Sequence, residues 1–161
     1  MKASAVIMAA AALQGVAADF WVNYLRRIEV TRYGAPTEVG VAFTHAPEIT
    51  CDSAMGPKIW PNVGDASGSH PGMRCEPGDD VGFPLYRDPL NVVEFNTLNE
   101  LPGHHTIYKG RNYAMVDLSG FKTGQCYLNR TFVHDLDCPN EEGQVALTGS
   151  SMFFCFSDIW I

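Results

Sequence analysis

The chain lacks several features that identify common classes of protein. Its 11 Lys and Arg residues are scattered and outnumbered by 18 Asp and Glu, so it has no basic cluster of the kind that binds nucleic acid or anionic membranes. It contains no Gly-x-Ser-x-Gly elbow, no His-Glu-x-x-His pair and no phosphate-binding loop. After the first 18 residues, no apolar run approaches the roughly 20 residues that span a bilayer. These absences exclude the most easily recognised hydrolases. We therefore expect no nucleic-acid partner, no membrane insertion and no bound cofactor.

The first 18 residues are typical of a secretory signal peptide. Lys2 gives a basic start, residues 3–13 are almost entirely apolar and small, and Val16-Ala17-Ala18 places small side chains where signal peptidase cleaves. The apolar run is too short for a membrane anchor. We therefore expect cleavage before Asp19, which leaves a single secreted domain over residues 19–161.

Alternating apolar and polar residues predict an all-β fold. Residues 20–33 and 39–43 alternate on either side of Gly34-Ala35-Pro36, so we expect a hairpin from Ile28 to Phe43. A second hairpin is predicted where residues 106–108 and 113–118 flank a polar turn. Residues 151–161 are apolar on both faces, which is typical of a strand in the middle of a covered sheet. These patterns favour an antiparallel sandwich or barrel; an α+β fold with one short helix is the alternative.

Residues 61–90 interrupt the alternation, because proline and glycine recur throughout them. The composition predicts a long ordered loop without regular strands, held by apolar anchors and a crosslink at Cys75. Ordered loops on rigid sheets often carry recognition. We therefore expect exposed Trp60, His70 and Tyr86, in or beside this loop, to contact a partner. The acidic residues of the loop match no calcium-loop pattern, so we predict no metal site.

The five cysteines are an odd number, so at least one is unpaired in a monomer. Sequence alone leaves the pairing open. We favour Cys51 with Cys75 and Cys126 with Cys138, because each pair closes a short loop in a turn-rich segment and would contribute roughly 3 kcal/mol. Cys155, flanked by phenylalanines, is the expected free and buried thiol. Its alternative roles are a nucleophile or an intermolecular bridge. No two cysteines have the two-residue spacing of a zinc site.

A few polar residues are candidates for catalysis. His104 and His105 are adjacent, and neighbours on a strand point to opposite faces, so they share a target only if the chain there forms a loop. A small secreted ribonuclease would combine one of them with other acid, base and phosphate-binding groups. The candidates are Glu94, His104, His105, Arg111 and His134. Isolated histidines more often have no catalytic role, and we expect no enzymatic activity.

Asn129-Arg130-Thr131 matches the acceptor pattern for N-glycosylation and predicts an exposed turn at Asn129. The chain as a whole resembles the small secreted cysteine-containing proteins of filamentous fungi. The resemblance rests on the leader ending in Val16-Ala17-Ala18, the scattered cysteines, and the segments Asp19-Phe20-Trp21, Thr106-Ile107-Tyr108 and Gly124-Gln125-Cys126. Many such proteins are candidate effectors that act at a host or competitor surface. The resemblance therefore implies a niche outside the cell and assigns no site residue.

Together these patterns predict a monomeric, secreted, disulfide-stabilised β-protein that binds a host protein or a glycan. A small secreted hydrolase resembling a ribonuclease is the alternative, and a structural wall-associated protein is a third possibility. The hydrolase requires that at least two of the five catalytic candidates converge within hydrogen-bonding reach in one cleft.

Overall fold

A computed structural model describes residues 18–76, 90–140 and 143–159. The expected signal peptide up to residue 17, and Tyr86, lie outside this range. Within it the chain is all-β, as predicted, and a single-turn 3-10 helix at Lys109–Arg111 is the only helix. The strands are β1 (Ala18–Thr31), β2 (Thr37–Thr44), β3 (Trp60–Pro61), β4 (Gly72–Glu76), β5 (Val92–Asn96), β6 (His104–Tyr108), β7 (Ala114–Asp117), β8 (Lys122–Leu128), β9 (Val133–Asn140) and β10 (Gly143–Ser157).

The strands form one antiparallel sheet that nearly closes into a barrel. Their order is β3-β2-β1-β10-β8-β7-β6-β5-β4, and β9 pairs with β10 outside this path. β10 lies in the middle, with β1 along one edge and β8 and β9 along the other. This confirms that the apolar C-terminal segment is a central strand. Both predicted hairpins are also confirmed, as β1–β2 and β6–β7.

The barrel closes where β3 approaches β4. Asn62 bridges to Met73, and the Val63 N–H donates to the Met73 carbonyl over 3.0 Å. Two glycines permit this close approach. A Cβ atom at Gly40 would lie 1.8 Å from the Trp60 carbonyl oxygen, and one at Gly72 would lie 2.6 Å from the Pro61 carbonyl oxygen.

Two apolar cores stabilise the sheet. The main core fills the barrel, where Phe20, Phe95 and Phe153 are fully buried. The second core lies on the outer face of the sheet, where Leu25 and Leu147 pack under the segment 45–59 that joins β2 to β3. Burying one such large side chain stabilises the fold by about 1.5–3 kcal/mol. In the part of the chain that the structure describes, no helix is long and apolar enough to cross a membrane.

The prediction of a strand-free loop over residues 61–90 is wrong for residues 72–76, which form β4. Met73 and Cys75 point into the core while Arg74 and Glu76 are only partly buried, so the segment does alternate. The flanking prolines and glycines masked this short pattern. Residues 77–89 lie outside the described part of the chain.

The predicted disulfide pairing is also wrong. The bonds join Cys51 to Cys138 and Cys126 to Cys155, and the free thiol is Cys75 rather than Cys155. Strand register, rather than loop length, decides the pairing. Cys126 of β8 lies directly opposite Cys155 of β10, and segment 45–59 folds back over β9. Cys75 lies in the main core, where burial raises the pKa of its thiol to about 12 and leaves it unreactive.

Candidate functional site

Three connecting segments meet at one end of the barrel. The β5–β6 turn (97–103) and the β7–β8 turn (118–121) are neighbours, because His105 of β6 pairs with Asp117 of β7. Segment 62–71 joins them, since the Asn96 amide donates to the carbonyls of Ala66 and Gly68, each over 3.0 Å. We call this region the loop end.

Hydrogen bonds inside the β5–β6 turn hold it rigid. The buried Thr97 hydroxyl donates to the Glu100 carbonyl over 2.6 Å and accepts the Gly103 N–H over 2.7 Å. The Leu98 N–H donates to the Asn96 side chain over 2.9 Å, and Leu98 adopts a left-handed backbone with φ of 55°. A left-handed leucine is strained by about 1–3 kcal/mol and persists only where the surrounding structure enforces it. The turn therefore presents Leu98 and Leu101 to solvent in a fixed arrangement.

A carboxylate organises the β7–β8 turn in the same way. Asp117 Oδ1 accepts the N–H groups of Ser119 and Phe121, each over 2.9 Å. Gly120 takes the left-handed backbone with φ of 80° and donates its N–H to the Asp117 carbonyl over 3.0 Å. Leu118 and Phe121 are consequently held outward by a preorganised turn.

These two turns concentrate exposed apolar surface at the loop end. Leu98, Leu101, Leu118 and Phe121 are 48%, 59%, 75% and 72% exposed, respectively. Single exposed apolar residues are normal, but a group on neighbouring turns is typical of an interaction surface. The nearby Lys58 is already paired, with Glu100 over 2.5 Å and with the face of the Trp60 ring over 4.0 Å.

A polar cluster lies beside the loop end, where β4, β5 and β6 run side by side. Glu94 Oε1 contacts His104 Nε2 over 2.9 Å, and Glu94 Oε2 accepts a hydrogen bond from Arg74 Nε over 2.9 Å. Arg74 also pairs with Glu76. Burial alone would raise the pKa of Glu94, but the hydrogen bonds from His104 and Arg74 outweigh it and lower the pKa. Glu94 is thus a paired carboxylate with both oxygens engaged.

The other catalytic candidates do not hydrogen-bond to this pair. His105 is buried on the face opposite His104, as strand alternation predicts, and burial lowers its pKa. Arg111 stacks over Tyr108 at 4.9 Å, and His134 is buried on β9. Sequence reasoning missed Arg74, because its strand was assigned to a loop. The signal was its position between Met73 and Cys75 in the alternating pattern.

The residues expected to contact a partner differ in their exposure. Trp60 is only 7% exposed, so the prediction of an exposed indole there is wrong; the ring packs beneath Lys58. His70 is exposed and lies in segment 62–71 at the loop end. Tyr86 falls outside the described residues. Asn129 follows β8 and is partly exposed.

No group of three or more His, Cys, Asp or Glu side chains is arranged to hold a metal ion within residues 18–76, 90–140 and 143–159. Comparisons with protein-family models, curated proteins and solved structures found no match to this chain.

Proposed function

We propose that the protein is a secreted binding protein that contacts a partner protein outside the producing cell through its loop end. The observation that carries the proposal is the group of four apolar side chains on two neighbouring, internally hydrogen-bonded turns. The two disulfides support secretion, because such bonds persist mainly in oxidising compartments.

The chemistry of the loop end favours a protein over the other partner classes. Leu98, Leu101, Leu118 and Phe121 offer no hydrogen-bonding side chains for a glycan. The net charge of −7 opposes attraction to an anionic lipid surface. Aromatic residues such as Phe121 are enriched at protein interfaces, and a few well-packed side chains supply most of the affinity there. Because both turns are already rigid, binding would cost little conformational entropy.

Site-specific photo-crosslinking tests the proposal. A benzophenone amino acid replaces Phe121 at the loop end or, as a matched control, Tyr33 at the tip of the β1–β2 hairpin, where the side chain is 82% exposed. Each protein is illuminated with extracellular proteins of candidate host and competitor organisms. We expect a crosslinked protein from position 121 and not from position 33, and excess unmodified protein should suppress it.

Three results would contradict the proposal. Equal crosslinking from both positions would show contact without a preferred surface. Crosslinking of position 121 to a second copy of the chain would make the loop end a self-association surface. Binding of the protein to phosphatidylcholine vesicles through the same turns would replace the protein partner with a lipid.

The Glu94–His104 contact favours a second candidate function, a ribonuclease-like hydrolase. Two of the five catalytic candidates do lie within hydrogen-bonding reach, and Arg74 adds a guanidinium that could bind a phosphate. In such an enzyme Glu94 or His104 would accept the proton of the attacking 2′-hydroxyl. RNA hydrolysis by the wild-type protein should then be lost in Glu94→Gln and in His104→Ala and kept in His134→Gln. Absence of hydrolysis by the wild type would rule this function out.

A further inference from the structure

A second exposed apolar surface lies on the outer face of β1, β8 and β10. Tyr127 of β8 is directly opposite Phe154 of β10, which is opposite Trp21 of β1. The ring centroids of Trp21 and Phe154 are 4.8 Å apart, those of Phe154 and Phe156 are 4.8 Å apart, and those of Phe156 and Tyr127 are 5.9 Å apart. We call these four residues the aromatic row.

Two members of the aromatic row remain open to solvent. Tyr127 is 53% and Phe156 is 44% exposed, although each has further aromatic surface beside it. Burying an aromatic ring removes a large apolar area from water, which is favourable, and an exposed ring contributes little of this free energy. An occupant that covers them would therefore add stability.

The glycosylation acceptor lies beside this surface. The Asn129 N–H donates to the Met152 carbonyl over 2.9 Å, so the β8–β10 ladder continues one step past the end of β8. Asn129 is partly exposed and lies two residues, about 7 Å of extended chain, after Tyr127. Its side-chain oxygen accepts the Thr131 N–H over 3.1 Å, which fixes the acceptor turn.

We propose that an N-linked glycan on Asn129 packs its first sugar against Tyr127 and Phe156. The carbon-bound hydrogens on one face of a pyranose are apolar and fit an aromatic ring, while its hydroxyl groups stay in water. Covalent attachment two residues from Tyr127 holds the sugar at high effective concentration, so contact costs little entropy. The inference rests on the secretion that the proposed function includes, because the modification occurs in the secretory pathway.

The modification itself is an ordinary group transfer. The co-reactant is a lipid diphosphate oligosaccharide, and a cellular glycosyltransferase catalyses the step. A bond forms between Asn129 Nδ2 and the anomeric carbon of the first sugar, the bond from that carbon to the diphosphate oxygen breaks, and Nδ2 loses one proton. The lipid diphosphate leaves.

A double-mutant cycle tests the packing. The full chain is secreted from a eukaryotic host as wild type, Asn129→Gln, Tyr127→Ala and the double variant, and Tyr33→Ala serves as a matched exposed-tyrosine control. Mass spectrometry reports glycan occupancy and calorimetry reports Tm. We expect the glycan to raise Tm by about 2–4 °C with Tyr127 present. The rise should be mostly lost in Tyr127→Ala and kept in Tyr33→Ala.

A second measurement covers the case in which Tyr127→Ala does not fold. In the wild-type glycoprotein, nuclear Overhauser contacts should join the N-acetyl group of the first sugar to the Tyr127 ring. An unmodified Asn129, an equal Tm rise without Tyr127, or absence of these contacts would overturn the inference. Any of these results would leave the crosslinking from position 121 unchanged, so failure here is distinguishable from failure of the proposed function.

Discussion

Buried histidines set how the stability of the fold depends on pH. His134 is buried on β9, where burial lowers its pKa and Glu48 opposes only part of the shift. Its Nε2 makes no hydrogen bond within the described residues. Adding a proton to this ring in the folded state is unfavourable, because a charge would be buried without a partner.

We therefore expect the free energy of unfolding to fall as the pH drops below about 6.5, the ordinary pKa of histidine. In that range His134 binds a proton more readily in the unfolded chain than in the folded one. This difference in proton binding favours unfolding. His134→Gln should reduce this loss between pH 7.5 and 5.5, measured by urea unfolding. His70→Gln, at an exposed site, should keep it. The same loss in His134→Gln as in wild type would contradict this account.

Closure of the barrel depends on the glycine at position 40 of β2, which has no side chain. Because a Cβ at Gly40 would overlap the Trp60 carbonyl, Gly40→Ala must push β3 away from the sheet. We expect a loss of at least about 2 kcal/mol in the free energy of unfolding, by analogy with other overpacked sites. Gly110→Ala provides the matched control, since a Cβ there meets no atom within 4 Å. Equal stability of the two variants would show that β3 does not lie where we describe it.

Segment 45–59 is held in place by both a crosslink and the second core. Arg27 donates to the carbonyls of Met55 and Pro57, each over 3.3 Å, and Cys51 bonds to Cys138. Cys51→Ala with Cys138→Ala should lower the free energy of unfolding by about 2–5 kcal/mol. Protease cleavage within 45–59 should rise in that variant and not in Cys126→Ala with Cys155→Ala. Cleavage that rises equally in both pairs would refute a local role for the first disulfide.

Elements with long alternating patterns could be predicted from the sequence, and shorter ones could not. The β1–β2 and β6–β7 hairpins and the central position of β10 follow from alternation and turn residues. β3 is too short to show a period, and the alternation within the five residues of β4 is masked by the proline and glycine around it. The disulfides and the Arg74–Glu94–His104 cluster depend on which strands become neighbours. That is a property of register between distant segments, and no local pattern encodes it.

The whole molecule presents chemically different surfaces. Apolar turns project at the loop end, the opposite end carries the β1–β2 hairpin tip with Arg32 stacked on Tyr33, and the aromatic row lies on the outer face of the barrel. Both ends carry highly exposed large side chains, but among the residues that the structure describes only the loop end groups several of them on rigid neighbouring turns. This asymmetry is the physical basis for our proposal that the loop end contacts a partner.

Competition for the position-121 crosslink tests this account most directly. Unlabelled wild type and Tyr33→Ser should suppress the crosslink at the same concentration. Leu118→Ser with Phe121→Ser should require at least about tenfold more protein, since loss of two central apolar contacts costs more than 1.4 kcal/mol of binding free energy. If the double variant competes as well as wild type, the loop end is not the binding surface.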